Sequence, residues 1–127
     1  DLESYDRNRK TLYDALTQMG YEFYPQALSN VIRAVHKEFK GDILITENGI
    51  ATSDDSRRAE FIRQAMAGVQ SCIAEGIPVK GYCHWSLLDN FEWQKGFSMT
   101  FGLIAVDRST QKRYPKESLA VLGSFAE

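Results

Sequence analysis

The sequence predicts an α/β fold built on a parallel sheet. Stretches with helical apolar spacing alternate with short continuous apolar runs, and the connections between them are short. The runs are of the kind carried by strands buried on both faces. The order helix, strand, helix, strand, long loop, helix is compatible with a (β/α)₈ barrel or a doubly wound sheet. Two such strands leave sheet edges unprotected, so the chain reads as part of a larger fold.

Each element has its own signal. Residues 1–18 lack a long apolar period and read as a loop, with a helical turn around Thr11 to Leu16. Gly20 to Pro25 is a turn rich in aromatic residues. Pro25 suits the first turn of a helix. Leu28, Val31, Ile32, Val35 and Phe39 follow as one apolar stripe, and Gly41 ends it. Ile43-Leu44-Ile45 is the first strand, closed by Thr46-Glu47-Asn48-Gly49. Ser53-Asp54-Asp55-Ser56 offers N-caps for a second long helix. That helix presents Phe61, Ile62, Ala65, Met66, Val69, Cys72 and Ile73 on one face, and Gly76 and Pro78 stop it. Val79 to Ser86 is the second strand. A loop rich in aromatic and acidic residues runs from Leu87 to Phe97. Phe101 to Val106 is a short strand, and Pro115 opens a last helix through Leu119, Leu122 and Phe125.

Composition narrows the function classes. The 127 residues are 43% hydrophobic and 25% charged, ordinary for a globular chain with a core of its own. No apolar run approaches a bilayer span. The net charge of −2, with both signs interspersed, gives no basic stripe for nucleic acid. Neither a membrane nor a nucleic acid is therefore an expected partner. Cys72 and Cys83 are not in CxxC spacing, so they do not suggest zinc. Both read as small buried hydrophobes, which fits a reducing cytoplasm. The polar opening from Asp1 to Lys10 does not resemble a secretory leader.

In α/β folds, polar and catalytic groups gather just past the C-terminal ends of the strands. Glu47 sits there on the first strand and Trp85 on the second, and Asp89, Asn90, Glu92 and Trp93 follow in the loop. Carboxylates bind hydroxyls and attack anomeric carbons, and indole faces cover the apolar side of a pyranose. These residues therefore form a candidate sugar site. Blander readings stand beside it. A glutamate before Asn-Gly is commonly a solvated turn residue, and a tryptophan at a strand end is commonly core. Asp89 and Asn90 can simply cap the loop.

The segment Ile45-Thr46-Glu47-Asn48-Gly49 resembles the nucleophile motif of glycoside hydrolase family 1. Trp85-Ser86-Leu87-Leu88-Asp89-Asn90-Phe91-Glu92-Trp93 resembles that family's glycone-binding motif. Gly20 to Leu28, Val79 to Tyr82, Gly96-Phe97 and Phe101-Gly102-Leu103 are also similar, in the same order. The resemblance covers nearly all of Gly20 to Glu127.

The resemblance implies the C-terminal portion of a TIM barrel, with strands seven and eight and their flanking helices. Residues 1–127 would be the C-terminal segment of one catalytic domain, with barrel strands one to six absent from this chain. The implied activity is hydrolysis of terminal β-D-glycosyl residues with retention, glucose first, by a β-glucosidase-type double displacement. Glu47 would be the nucleophile and Trp85 the stacking platform. Glu92 would accept hydrogen bonds from O4 and O6, and Trp93 would donate to O3. Family members that take 6-phosphorylated glycosides lack the acid at the place of Glu92, so neutral sugars are expected. The two-carboxylate mechanism needs no metal or organic cofactor.

Departures are visible too. Tyr21 stands where the family often has tryptophan, and Thr100 where it usually has arginine. The Asn-Glu-Pro motif of the general acid/base does not occur. The expected partner is therefore the N-terminal portion of the same barrel, as a separate chain or a further segment, and the chain alone is expected to be inactive. A sugar-binding piece without catalysis and a self-assembling barrel fragment are the competing readings.

Overall fold

The computed structural model describes residues 2–126; Asp1 and Glu127 lie outside them. The elements are α1 (Leu2–Ala15), α2 (Gln26–Glu38), β1 (Ile43–Asn48), α3 (Asp55–Ala74), β2 (Val79–His84), a 3₁₀ turn (Trp93–Lys95), β3 (Ile104–Val106), β4 (Arg113–Pro115) and α4 (Glu117–Gly123).

The first element corrects the expectation of a loop. Residues 2–15 form a helix without a long apolar stripe, and it contains neither Gly nor Pro to interrupt it. Thr11 Oγ1 donates to the Arg7 carbonyl within it. The chain then folds back, with Phe23 N donating to Ala15 O at 2.8 Å and Thr17 N to Tyr21 O at 2.8 Å.

Pro25 occupies the N-cap of α2 with φ −61°. The helix ends at Glu38, before Gly41, because Phe39 turns to an extended conformation. Asp54 caps α3, its carboxylate accepting from Ser56 N at 3.0 Å. Gly76 closes that end with φ +84°.

β1 and β2 pair in parallel, as expected. The core lies on one side of this pair. Ile32 of α2, Ile45 of β1, Val69 and Cys72 of α3, and Ile77 form one buried cluster, against which Leu28, Ile43, Val79 and Tyr82 pack. Phe61, Ala65 and Ile50 form a second, with Phe23 edge-on to Phe61 at 5.7 Å.

Exposure corrects four expectations, on the uncovered face of the pair and on the outward faces of α2 and α3. Leu44 is 59% exposed, so β1 is buried on one face only. Cys83 is exposed rather than buried, because alternation along β2 turns it to the uncovered face. The predicted stripe of α2 divides: Ile32 is buried, while Val31, Val35 and Phe39 are exposed. Ile73 of α3 is likewise exposed. In each case the element presents a wider apolar surface than this chain has partners to cover.

The C-terminal part forms an unforeseen hairpin, β3 antiparallel to β4. Asp107 makes its turn, accepting from Ser109 N, Ser109 Oγ and Thr110 N. These hydrogen bonds hold its carboxyl down at about 2. Pro115 therefore ends a strand, and the last helix starts at Glu117. Among the described residues, no helix is long and apolar enough to cross a membrane.

Gly49 marks the tightest approach between the two site-bearing segments. A Cβ there would lie 1.9 Å from the Trp85 carbonyl oxygen. Gly49→Ala is expected to destabilise the fold by more than about 2 kcal/mol through forced backbone displacement. Gly123→Ala, in open helical space, is expected to stabilise by about 0.5–1 kcal/mol. Urea unfolding midpoints of the two variants check the contrast.

Candidate functional site

The site lies at the C-terminal ends of β1 and β2. Ile45 stands opposite Tyr82, and Asn48 opposite His84. Three steps along β1 thus match two along β2, so a bulge falls at Thr46-Glu47. Bulges of this kind re-aim a side chain at a strand end. Glu47 is exposed, and its carboxylate makes no hydrogen bond among the described residues.

Trp85 comes directly after β2. Its amide donates to Asn48 O at 2.9 Å, which brings the two sequence motifs side by side. The Trp85–Ser86 peptide is cis. The Trp85 side chain is exposed.

The loop that follows is held at both ends. Leu103 N donates to Ser86 O, Ile104 N to Leu87 O and Asp89 N to Ile104 O, each at 2.9 Å. Asp89 Oδ1 accepts from Gly102 N at 2.7 Å, and Lys116 Nζ lies 2.9 Å from Asp89 Oδ2 and 2.7 Å from Gly102 O. A Cβ on Gly102 would lie 2.1 Å from Asp89 N. Asn90 Nδ2 donates to Ser86 Oγ and Leu88 O. Asp89 and Asn90 are therefore loop fasteners, the blander of their two readings.

Glu92 and Trp93 stand at the far end of the same loop. Lys95 N donates to Glu92 O and Glu92 N to Gly96 O, both at 2.7 Å, closing a tight turn. Trp93 takes φ +40° and is 80% exposed. Met19, Phe91, Glu92, Trp93, Gln94 and Lys95 line a cleft of about 550 Å³. Among the described residues no hydrogen bond joins Glu92 or Trp93 to Glu47; one loop carries them to the same end of the sheet.

Four residues that sequence reasoning passed over hold this end together. Lys116 is one. Arg58 is another, 1% exposed inside α3. Its guanidinium reaches Asp55 at 2.5 Å, Thr52 O at 2.5 Å and Thr100 O at 2.6 Å. Asp55 in turn accepts from Ser118 N and Oγ. Burial pushes the Asp55 carboxyl up, but the hydrogen bonds from Ser118 and Arg58 outweigh it and hold it below its ordinary value. The (i, i+3) acid–base spacing of Asp55 and Arg58 was the available signal. Thr100 is bound through its backbone, and its amide and hydroxyl also donate to Gln18 Oε1.

The remaining two are Tyr82 and His84, on the core side of β2. Tyr82 Oη lies 2.9 Å from Asn48 Oδ1 and 3.2 Å from His84 Nδ1. Burial raises the Tyr82 phenol well above its ordinary value, so it stays protonated. Burial, with help from the Arg58 charge, pushes His84 down to about 4.

A parallel strand pair with a bulged glutamate at one C-terminal end, and a loop of tryptophans and a carboxylate leaving the other strand at the same end, has the layout of a segment of a (β/α)₈ barrel. Comparison with known proteins defines the family. The sequence profile of glycosyl hydrolase family 1 matches residues 3–127. β-Glucosidase A of Thermotoga maritima is 40% identical over 112 residues, covering 80% of this chain and 25% of that protein. The 6-phospho-β-galactosidase of Leptotrichia buccalis is also 40% identical over 112 residues, covering 80% of this chain and 24% of that protein. The crystal structure of a β-glycosidase superposes with a TM-score of 0.85 at 54% identity, over 88% of this chain and 27% of that one.

The chain belongs to glycosyl hydrolase family 1. It has the fold of the C-terminal portion of the family's TIM barrel, and it spans about a quarter of the length of the relatives it matches. β1 and β2 thus take the places of barrel strands seven and eight.

The depressed His84 value gives a pH prediction. The folded-state value, about 4, lies below the ordinary value of 6.5. Between these values the unfolded chain binds more protons, so stability is full above pH 6.5 and falls as pH drops towards 4. The loss is expected to be about 3 kcal/mol. His84→Gln removes this part of the dependence, as urea unfolding at pH 7 and pH 4.5 would register. Glu75, held at about 2 by Arg33 and Ser71, begins to lose its contribution as pH falls through its ordinary 4.5, and Asp107 through 3.8, so most of their loss lies below this window.

Proposed function

We propose that this chain is the nucleophile-bearing part of a retaining β-glycosidase, acting on neutral β-glycosides with glucose as first choice. The carrying observation is the bulged Glu47 at the end of β1, fixed beside Trp85 through the Asn48–Trp85 hydrogen bond. In the reaction, a Glu47 oxygen attacks the anomeric carbon. The bond from that carbon to the aglycone oxygen breaks, and the leaving oxygen takes a proton from the acid/base. Water then attacks the glycosyl-enzyme, gives a proton to the same base, and frees Glu47.

Trp85 offers an exposed indole face for the pyranose. Glu92 accepts from O4 and O6, and the Trp93 indole N–H donates towards O3. The acid/base belongs to the N-terminal portion of the barrel. The surfaces that such a portion would cover support its involvement: the uncovered face with Leu44 and Cys83, and the exposed Val31, Val35 and Phe39 of α2. Alone, the chain is inactive in this reading. Its two cysteines, neither in a disulfide, fit a reducing cytoplasm.

The test is incubation of the completed barrel with an activated 2-deoxy-2-fluoro-glucoside, followed by intact mass measurement. A glycosyl increment is expected on this chain, mapped to Glu47, and none is expected for Glu47→Gln. A labelled Glu47→Gln chain would refute the assignment. The 6-phospho-β-galactosidase of Leptotrichia buccalis and β-glucosidase A of Thermotoga maritima are equally similar to this chain, each 40% identical, so the choice of neutral sugars rests on Glu92. Its carboxylate repels a phosphate at O6. Glu92→Ser is expected to lower kcat/KM for an aryl β-glucoside and narrow the gap to its 6-phosphate. A wild-type preference for the 6-phosphate would overturn the neutral-sugar reading.

A further inference from the structure

Behind the Thr46-Glu47 bulge, three side chains form a hydrogen-bonded chain from β2 to Asn48. The Tyr82 phenol has one proton. It donates to Asn48 Oδ1, which only accepts. The Tyr82 oxygen can then only accept from His84, so Nδ1 carries the imidazole proton and Nε2 is bare. An independent observation agrees. His84 Nε2 is buried with no hydrogen-bond partner among the described residues, and so is Arg58 Nε, an obligate donor. Arg58 is near enough for its charge to act on His84. A bare nitrogen is favoured near a guanidinium, whereas a second buried donor there would be costly.

The chain acts where Glu47 has no support of its own. The Glu47 carboxylate makes no hydrogen bond among the described residues, so within this chain its aim is set by the backbone. Asn48, the next residue, is held through its carbonyl by Trp85 N and through its side chain by Tyr82. The His84 ring lies close under Gly49, where a Cβ would stand 3.3 Å from Cε1.

We propose that Tyr82 and His84 are positioning residues for Glu47: Nδ1-protonated His84 donates to Tyr82, Tyr82 donates to Asn48, and the fixed Asn48 sets the aim of its neighbour. This rests on the reading of Glu47 as the nucleophile. Its effect falls on the covalent step, because a small misplacement of an attacking atom costs rate without costing ground-state binding.

Two measurements on the completed barrel test it separately from that reading. In ¹⁵N-histidine-labelled protein at pH 7, with His84→Gln to identify its signal by disappearance, His84 is expected to show a protonated Nδ1. A protonated Nε2 overturns the hydrogen-bond chain whatever the activity. With the fluoro-glucoside, Tyr82→Phe and His84→Val are each expected to slow covalent labelling about tenfold to a hundredfold, with inhibitor affinity changed less than about twofold. The double variant is expected to be no slower than Tyr82→Phe alone. His84→Gln, whose amide can still donate to Tyr82, is expected to recover most of the rate lost in His84→Val. Unchanged labelling in Tyr82→Phe, or additive losses in the double variant, overturns the positioning role. A wild-type barrel that takes no label strikes the nucleophile reading instead, while the histidine spectrum still decides the hydrogen-bond chain.

Discussion

The structure depends on how β1 and β2 meet at their C-terminal ends. Parallel pairing aligns the two ends, and the bond from Trp85 N to Asn48 O locks them. The lock requires Gly49, because the Trp85 carbonyl occupies the space of any side chain there. Glu47 and Trp85 come from motifs 38 positions apart in the chain. This junction makes them neighbours without any direct bond between their side chains.

Around the junction, a few buried polar groups convert loops into fixed parts. Arg58 ties α3 to the backbone at Thr52, after β1, and at Thr100, before β3. Asp89 and Lys116 clamp the Trp85–Trp93 loop to Gly102. Both cations are paired and hydrogen-bonded, which is what makes their burial tolerable. The arrangement leaves the chemically interesting groups free. Glu47, Trp85 and Trp93 are exposed, while the residues that hold their backbones are not.

The same division explains the exposed apolar surface. One face of the β1–β2 pair carries a packed core with α2 and α3. The other carries Leu44 and Cys83 in the open, and α2 turns Val31, Val35 and Phe39 outward. A barrel strand is covered on both faces and paired on both edges. The uncovered surface therefore matches the three quarters of the family's length that this chain does not span.

Much of this was legible in the sequence. The helical stripe of α3 and the apolar runs of β1 and β2 are periodic signals, and period survives without tertiary context. Glu47, Trp85, Glu92 and Trp93 stood out as candidates because they follow strands and sit in motifs. What stayed hidden has two physical causes. α1 and β4 lack apolar periodicity: one is merely free of Gly and Pro, the other depends on pairing with β3. Arg58, Lys116, Tyr82 and His84 matter because of contacts across long stretches of chain, which no local pattern records. The sequence by itself thus determined the order of elements and the family motifs, since these depend on neighbours along the chain. Only the tertiary structure decided which faces are covered, that Asp89 fastens rather than binds, and which side chains hold Asn48 behind Glu47, since these depend on neighbours in space.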